Sequence, residues 1–380
     1  MHTMPASSSP SLPYVLVEDA EAGVTWCYER PREVVVATTL AEISPALERL
    51  QALREDGCFL AGNMAYEAGY AFEPRLMPLF RRPQGPLLAF GAFEGRRAYA
   101  WPAQAQPFPA VTLRPQWDLA GYRARFGRVI ECIRAGDIYQ ANLTFPLTGT
   151  IAGDPLALYA ALRERQPPRH GAFVALSPDQ TLLSLSPELF FAIEDGVIRA
   201  RPMKGTAPRG GTPQEDTAFA DGLRASEKDR AENLMIVDLL RNDLGRLAEI
   251  GSVEVTDLFT IEPYATLFQM TSGITARLKP GTTLRALFGA LFPCGSVTGA
   301  PKIRAMQIIH ALEEGPRGAY CGAIGHITPE GDARFNVAIR TAILDNAGNI
   351  TLNVGSGVVY DSLAEAEYEE CWLKARFLTG

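Results

Sequence analysis

The sequence predicts an α+β domain in which antiparallel strands pack against amphipathic helices. Short apolar runs separated by turn residues occupy the first hundred residues, a pattern typical of strands and hairpins. Helices with a single apolar stripe and further strands follow, but strands and helices do not alternate strictly. The missing βαβ alternation argues against a Rossmann-type sheet.

The chain of 380 residues divides into three predicted parts. Residues 1–13 lack the basic-then-apolar pattern of a signal peptide and are expected to form a disordered lead-in. Residues 14–117 are expected to be mostly β and to end in a Pro-rich linker over 101–117. Residues 118–380 are expected to form the catalytic region, and the two larger parts are expected to make one intertwined fold.

The elements of the catalytic region follow from capping residues and apolar periodicity. Asp118 is a favourable N-cap, an apolar stripe follows it, and Gly136 ends the predicted helix. A long helical region is predicted to begin near Ser226 and a last helix at Ser362. The remaining predictions are helices over 282–291 and 300–314 and strands over GAFVALS, TLLSLS, LFFAIEDGVIRAR, SVEVTDL, YCGAIGHI, ARFNVAIRTAILD and NITLNVGSGVVY.

Composition and charge argue against several classes of function. The net charge of -7 argues against a nucleic-acid partner. The six cysteines form no C-x-x-C pair and no apolar run is long enough to span a bilayer, so we expect reduced thiols and a cytoplasmic protein. Only four scattered histidines occur, and no phosphate-loop motif is present. Acid–base chemistry is therefore expected to fall to carboxylates and lysine.

Two predicted helices each carry a pair of carboxylates three residues apart, which places both on one helix face. The first pair is Asp229 and Glu232, and the second is Glu367 and Glu370; each follows an S-x-x-[DE] capping box. Such pairs are ordinarily a solvated acidic face. In a protein short of histidine they also suit Mg²⁺, which binds through carboxylates and an anionic substrate and keeps several waters.

The sequence also contains Gly-rich segments and two isolated basic residues that could bind an anionic ligand. The Gly-rich segments PCGSVTGAPKIRAM and NVGSGVVYD could hold a carboxylate or let a ligand approach closely, although the second could equally be a strand bulge. Arg340 interrupts the apolar strand VAIRTAIL and needs an anionic partner, which is either a structural carboxylate or a substrate. Lys204, in RPMKGTAPRG, lies among Pro and Gly residues that exclude a helix and hold it in a rigid turn.

Together these motifs resemble the chorismate-utilising enzymes, a family that includes anthranilate synthase, aminodeoxychorismate synthase component I, isochorismate synthase and salicylate synthase. The resemblance implies a fold of two antiparallel β-sheets packed as a sandwich and surrounded by helices, as in anthranilate synthase component I. It covers about residues 120–380 and makes region 118–380 chorismate-binding. The segments that carry it are GDIYQANLTF, LSPELF, RPMKGTAPRG, DRAENLMIVDLLRNDLGR, GSVTGAPKIRAM, YCGAIGHI, AIRT and GSGVVYDSLAEAEYEE.

The same resemblance implies roles for individual residues. It implies Mg²⁺ bound by Glu232 and Glu370, with Asp229 and Glu367 close by. It also implies Glu188 as the general acid that protonates the departing C4 hydroxyl of chorismate. The residues that match the family's substrate contacts are Gln140, Gly205, Thr298, Tyr320, Arg340, Gly355, Ser356, Gly357 and Lys374.

Two positions resemble one branch of the family. Gln140 stands where relatives that add water carry a base lysine, which implies ammonia as the nucleophile. Lys204 stands where anthranilate synthases carry alanine, as in aminodeoxychorismate synthases, and is implied to add at C2 as the C4 hydroxyl leaves. Ammonia would then attack C4, expel the lysine and give 4-amino-4-deoxychorismate. Gln269 stands where many relatives carry a histidine, so a role for that histidine in losing pyruvate is not supported.

The implied pathway is the synthesis of 4-aminobenzoate and folate. A separate glutamine amidotransferase is expected to supply ammonia, and a separate aminodeoxychorismate lyase is expected to take the product. Two alternatives stay open: an anthranilate synthase component I in which Lys204 merely faces solvent, and a non-catalytic chorismate-binding subunit. The presence of Glu188, Glu232, Glu370 and Lys204 argues against the second alternative.

Overall fold

The computed structural model describes residues 10–102, 104–105, 108, 111–264 and 267–379. Most of the predicted lead-in and part of the predicted linker lie outside these ranges. No helix in the described ranges is both long and apolar enough to cross a membrane. All six cysteines lie within them and are free thiols.

The described residues form twenty strands. They are β1 (Tyr14–Asp19), β2 (Val24–Glu29), β3 (Glu33–Ala37), β4 (Phe59–Met64), β5 (Leu88–Phe93), β6 (Arg97–Ala98), β7 (Arg114–Pro115), β8 (Gln140–Thr150), β9 (His170–Ser177), β10 (Gln180–Ser186), β11 (Leu189–Glu194), β12 (Val197–Ala200), β13 (Met203–Pro208), β14 (Glu254–Pro263), β15 (Leu267–Arg277), β16 (Gly299–Ala300), β17 (Ala323–Ile327), β18 (Ala333–Val337), β19 (Thr341–Asp345) and β20 (Asn349–Val358).

Eight α-helices accompany the strands in the same part of the chain. Side-chain caps begin several of them: Asp118 accepts a hydrogen bond from the backbone N–H of Gly121, and Ser226 accepts one from Asp229. The helices are α1 (Leu40–Glu55), α2 (Leu119–Arg134), α3 (Pro155–Arg165), α4 (Pro213–Ala225), α5 (Glu227–Gly245), α6 (Leu284–Leu291), α7 (Lys302–Leu312) and α8 (Ala364–Thr379).

The strands assemble into two antiparallel sheets. Sheet 1 has the order β16-β8-β20-β19-β10-β9-β1-β2-β6, with β7 also paired to β8. Sheet 2 has the order β13-β15-β12-β11-β18-β17-β4-β5-β3, with β14 also paired to β15. Strands from residues 14–117 lie in both sheets. The division of the chain at residue 118 stays a prediction.

Apolar side chains hold the layers together. Between the sheets, Val15 and Val174 of sheet 1 pack with Ala61, Phe93 and Ile324 of sheet 2. Helices α2, α3, α7 and α8 cover the outer face of sheet 1, and α1, α5 and α6 cover the outer face of sheet 2. The predicted α+β fold, a sandwich of two antiparallel sheets surrounded by helices, is confirmed.

Several predicted elements differ in detail. The segment ARFNVAIRTAILD was predicted as one strand, but β18 belongs to sheet 2 and β19 to sheet 1. Arg340 lies between them with a φ of 48°. The last helix begins at Ala364 rather than Ser362, because the Ser362 hydroxyl donates to Oε1 of Glu367 at 2.6 Å instead of capping the helix. Helices α1, α3 and α4 were not predicted; α4 buries only Leu223 and so shows no apolar stripe.

Buried Arg317 connects the segments that carry the candidate site. Its guanidinium donates to both carboxylate oxygens of Glu313, at 2.7 and 2.9 Å, and to the carbonyls of Asn142 and Val297, at 2.7 and 2.8 Å. Its own carbonyl accepts from Nδ2 of Asn353 at 3.1 Å. Arg317 thus ties β8 and the Gly-rich segment before α7 together through its side chain, and β20 through its backbone carbonyl.

We predict that Arg317→Ala lowers the free energy of unfolding by about 3–5 kcal/mol, because it leaves the Glu313 carboxylate buried without its partner. Urea denaturation followed by circular dichroism measures the loss. The matched control is Arg128→Ala, which removes an exposed arginine paired with Glu131 and should cost less than about 0.5 kcal/mol. Equal losses in the two variants would contradict a bridging role for Arg317.

Candidate active site

The candidate site lies where corresponding ends of the two sheets face each other. Gln140 of β8 and Gly357 of β20 share the inner face of sheet 1, and Lys204 reaches them from β13 of sheet 2. A Cβ atom on Gly357 would lie 3.2 Å from Nζ of Lys204 and 2.7 Å from Nε2 of Gln140. A larger residue at this point would displace the ends of both side chains.

Lys204 occupies an irregular stretch of strand rather than the predicted turn. The pairing of β13 with β15 shifts register between Met203 and Thr206. Gly205 has a φ of 82°, and a Cβ there would lie 2.9 Å from Cβ of Asp229 on α5. Nε2 of Gln269 donates to the Gly205 carbonyl at 2.8 Å. These contacts hold the backbone beside Lys204 and leave its side chain directed across the gap between the sheets.

The environment of Lys204 favours a neutral amine. Loss of water around its side chain lowers the pKa of Lys204, and Lys374 acts in the same direction. The carboxylates of Glu232 and Glu188 oppose this shift and remain the weaker influence. A lysine with a lowered pKa has a larger fraction of nucleophilic free amine near neutral pH.

Glu188 shows the opposite shift, as a general acid requires. Its side chain is buried, and loss of water raises the pKa of Glu188, although the Ser296 hydroxyl, Lys204 and Lys374 counteract the rise. Oε1 of Glu188 has no hydrogen-bond partner among the described residues. The backbone at Glu188 is fixed because its carbonyl accepts from the N–H of Val337 at 3.1 Å. A protonated carboxyl with a free oxygen can donate to a bound ligand.

Arg340 offers a positive charge without a protein counter-ion. Its guanidinium makes no ion pair and no hydrogen bond to the residues that the structure describes. Loss of water lowers the pKa of Arg340, and Tyr264 and Glu188 oppose that shift. Of the two partners considered from sequence, a structural carboxylate is therefore absent from the described residues. A partly buried guanidinium in this state favours an anionic ligand.

The predicted carboxylates of α5 and α8 act on a common space. Loss of water raises the pKa of Glu232, Lys204 lowers it, and Asp229 and Glu367 add to the rise. Glu370 contributes to the field at Lys204, so all four carboxylates belong to one electrostatic neighbourhood. Like charges gathered in one place favour a cation between them.

These carboxylates suit Mg²⁺ better than a metal ion whose ligands all come from the protein. Within the described residues, no group of three or more His, Cys, Asp or Glu side chains is arranged to hold a metal ion by itself. Mg²⁺ needs only one or two carboxylates when substrate and waters complete its shell. Glu370 is also paired with Nζ of Lys374 at 2.6 Å, and Lys374 donates to the Gly355 carbonyl at 2.9 Å. The donor set is therefore compatible with Mg²⁺.

The other residues predicted to contact the substrate differ in whether their polar side-chain atoms already have hydrogen-bond partners. Neither amide atom of buried Gln140 has a hydrogen-bond partner within the described ranges. Thr298 is buried, and its hydroxyl donates to the carbonyls of Cys294 and Gly295. Ser356 points to the helix side of sheet 1, where its hydroxyl lies 2.9 Å from that of Tyr122. Only the backbone of Ser356 can therefore contribute on the inner face.

Two residues near the site were not predicted from sequence. Ser296 adjoins Glu188 and Tyr264 adjoins Arg340, since each affects the pKa of that neighbour. Tyr320, which was predicted, is 4% exposed. Ser296 lies in the quoted Gly-rich motif and could have been selected with Thr298. Tyr264 has no motif of its own, and only the folded chain brings it to Arg340.

Comparison with known proteins identifies the family. The family model described as chorismate binding enzyme matches residues 98–380. The chain belongs to this family. It is 42% identical over 292 residues to aminodeoxychorismate synthase component 1 of Escherichia coli K12, a match that covers 76% of the chain and 64% of that relative. The family predicted from sequence is confirmed.

Other relatives carry a different name. Anthranilate synthase component 1 of Methanothermobacter thermautotrophicus is 43% identical over 272 residues, with 71% of this chain and 58% of that protein covered. The crystal structure of anthranilate synthase component I from Streptococcus pneumoniae aligns with a TM-score of 0.79 and 26% identity, covering all of this chain and 94% of that one. The chain spans less than two-thirds of the length of both curated relatives.

We predict that Glu188→Gln stabilises the protein at alkaline pH. Because folding raises the pKa of Glu188, the stability from its protonated form is complete below the unfolded pKa of about 4.3 and is lost as pH rises through the folded pKa. The neutral glutamine avoids burying a carboxylate. The melting temperature of the Glu188→Gln variant should exceed that of the wild type by about 2 °C or more at pH 8.

Differential scanning calorimetry between pH 4 and pH 8 measures this difference, which should shrink toward pH 4. The control is Glu131→Gln, a change at an exposed carboxylate, which should show no comparable pH trend. If Glu188→Gln were less stable than the wild type at pH 8, the assignment of Glu188 as a buried carboxyl with a raised pKa would be contradicted.

Proposed function

We propose that this chain aminates chorismate at C4 with ammonia to give 4-amino-4-deoxychorismate, the activity of an aminodeoxychorismate synthase component I. One observation carries the proposal: the Lys204 amine, with its pKa lowered, lies beside Gln140 and Gly357 where the two sheets meet. Anthranilate synthases resemble this segment but carry alanine at the position of Lys204. An amine placed there can act as a nucleophile, which alanine cannot.

The first step joins Lys204 to the substrate. Arg340 and the amine of Lys374 attract the carboxylates of chorismate, and Glu188 lies near the C4 hydroxyl. The lone pair of the neutral Lys204 amine forms a bond to C2, both ring double bonds shift along the ring, and the C4–O bond breaks. Glu188 gives its proton to the departing hydroxyl, which leaves as water. Holding the amine on a fixed strand lowers the barrier by avoiding loss of freedom in the reacting complex.

The second step replaces the lysine by ammonia. Ammonia forms a bond to C4, both ring double bonds shift back, and the C2–N bond breaks with its electron pair returning to Lys204. The new ammonium group returns a proton to the Glu188 carboxylate, so both catalytic groups regain their starting state. Gln140 cannot act as a base, so water is not activated at this place. Its free amide atoms are available to hold ammonia or the substrate.

Mg²⁺ would be held by Glu232 and Glu370, with Asp229 and Glu367 nearby, and when bound it would neutralise the ring carboxylate of chorismate. The remaining contacts are contributed by this chain alone. The Gly205, Gly355 and Gly357 backbone allows close approach, and buried Thr298 and Tyr320 are proposed to line the substrate pocket. Glu232 and Glu370 otherwise raise the pKa of Lys204, so a cation between them would also help to keep Lys204 neutral.

The reaction requires partners that supply ammonia and use the product. We propose a separate glutamine amidotransferase as the source and an aminodeoxychorismate lyase as the consumer, leading to 4-aminobenzoate and folate. A relative named component 1 supports a second component. Free thiols throughout the described chain support a reducing compartment, the cytoplasm.

Anthranilate synthase component I is the second candidate, favoured by the relative of that name at 43% identity. The two reactions share a substrate and differ in the carbon aminated. Product analysis therefore distinguishes them. The purified chain, incubated with chorismate, ammonium and Mg²⁺, should form 4-amino-4-deoxychorismate, which an added lyase converts to 4-aminobenzoate. Fluorescent anthranilate without any lyase would overturn the proposal, and no turnover would favour a non-catalytic subunit.

We predict that Lys204→Ala lowers 4-aminobenzoate formation in that assay by several orders of magnitude, because the other amine at the site, Lys374, is held by Glu370 and the Gly355 carbonyl. Chorismate binding, measured by isothermal titration calorimetry, should weaken much less, since Arg340 and Lys374 remain. Lys204→Arg is the matched control: it keeps the charge but is no nucleophile, so it should not restore activity. Normal turnover in Lys204→Ala would show that the lysine is only a positioning charge.

We predict that Glu232→Ala and Glu370→Ala each abolish Mg²⁺-dependent activity while the protein stays folded. Each change removes a proposed ligand, and both side chains contact solvent enough to be replaced without collapse of the core. Turnover is measured across a Mg²⁺ titration, and circular dichroism checks the fold. The control is Glu369→Ala, which removes an exposed carboxylate from the same helix as Glu370 and should leave turnover unchanged. Near-normal turnover of either ligand variant at low Mg²⁺ would contradict the metal assignment.

A further inference from the structure

A second cavity opens between the sheets, lined by none of the residues proposed to bind chorismate. Its volume is about 980 Å³. The apolar walls come from both inner faces: Val34 and Ala89 from sheet 2, and Val174, Leu182 and Ile343 from sheet 1. Pockets of 300–1,000 Å³ with mostly apolar walls and a few polar groups typically hold small molecules.

Asn63 provides a buried donor in this cavity. Its side chain is 3% exposed and lies on β4 between β5 and β17, on the inner face of sheet 2. Nδ2 of Asn63 has no hydrogen-bond partner within the described part of the chain. An unpaired buried amide N–H₂ is destabilising, so a group that accepts its hydrogen bond would be held strongly.

Two arginines lie at the open part of the cavity. Neither Arg82 nor Arg114 makes an ion pair or a side-chain hydrogen bond with any residue the structure describes. Asp179 and Asp345 also line the cavity, but both already accept bonds: Asp345 from the backbone N–H groups of Ala347 and Asn349, at 2.9 Å each, and Asp179 from Asn346. Both aspartates are thus held by neutral donors, whereas the two guanidiniums have no side-chain hydrogen-bond partner among the described residues.

We propose that this cavity binds an aromatic carboxylate. The carboxylate pairs with Arg82 and Arg114, the rings lie between Val34, Val174 and Ile343, and an oxygen at the far end accepts the hydrogen bond of Asn63. Charge selects the anion, because two guanidiniums suit a planar carboxylate. Burial of the flat body provides most of the affinity. The site is independent of the amination chemistry and is a place where an effector of this chemical class could act.

The test uses 6-hydroxy-2-naphthoate as the probe, which has a carboxylate, a flat apolar body and a distal oxygen. Isothermal titration calorimetry should show one saturable site. Arg82→Gln and Arg114→Gln should each weaken binding about tenfold without changing binding of 2-naphthol, which lacks the carboxylate. Arg128→Gln, at an exposed arginine elsewhere, should leave the affinity unchanged.

Asn63→Leu gives an independent readout. It should weaken 6-hydroxy-2-naphthoate more than 2-naphthoate, which lacks the distal oxygen, and it should raise the melting temperature of the unliganded protein because the unpaired amide is gone. Arg340→Gln distinguishes this cavity from the chorismate site and should leave the probe's affinity unchanged. The proposal is overturned if no saturable binding occurs, or if Arg340→Gln removes binding while Arg114→Gln does not.

Discussion

The buried ion pair between Arg317 and Glu313 is the interaction on which the geometry of the candidate site depends. Two charges removed from water are tolerated only when their hydrogen bonds are complete. Here the guanidinium satisfies both Glu313 oxygens and two backbone carbonyls, those of Asn142 and Val297. That completeness fixes β8 relative to the Gly-rich segment before α7. The inner face of β8, which carries Gln140, therefore has one position rather than several.

In contrast to Arg317 and Glu313, the polar groups inside the site have incomplete hydrogen bonding. Gln140, Glu188 and Arg340 each retain polar atoms without a partner among the described residues. Loss of water lowers the pKa of Lys204 and raises that of Glu188, so burial disfavours the charged form of each group. Polar atoms without hydrogen-bond partners lower the stability of the fold, and such atoms are typical of functional sites, where a ligand provides the missing partners. Satisfied charges around the site and unsatisfied ones inside it suit a small anion that enters, reacts and leaves.

Much of this arrangement was predictable from sequence because motifs encode local geometry. Asp118 and Ser226 cap their helices as expected, and the family resemblance carried the sandwich fold. Arg340 was assigned to a continuous strand because the apolar run does not reveal that the chain passes between sheets there. The contact of Lys204 with Gly357 joins residues far apart in sequence, so no spacing rule predicts it. Helix α4 was not predicted, because its one buried residue, Leu223, gives no apolar periodicity in the sequence.

The central claim is that Lys204 bonds to the substrate. Its most direct test is mass spectrometry of the protein quenched after mixing with chorismate and Mg²⁺ in the absence of ammonia. The account predicts an adduct with the mass of chorismate less one water, located on the peptide that contains Lys204 and absent from Lys204→Arg. An enzyme that turns over when ammonium is added, yet never carries this adduct on Lys204 at any quench time, would contradict it.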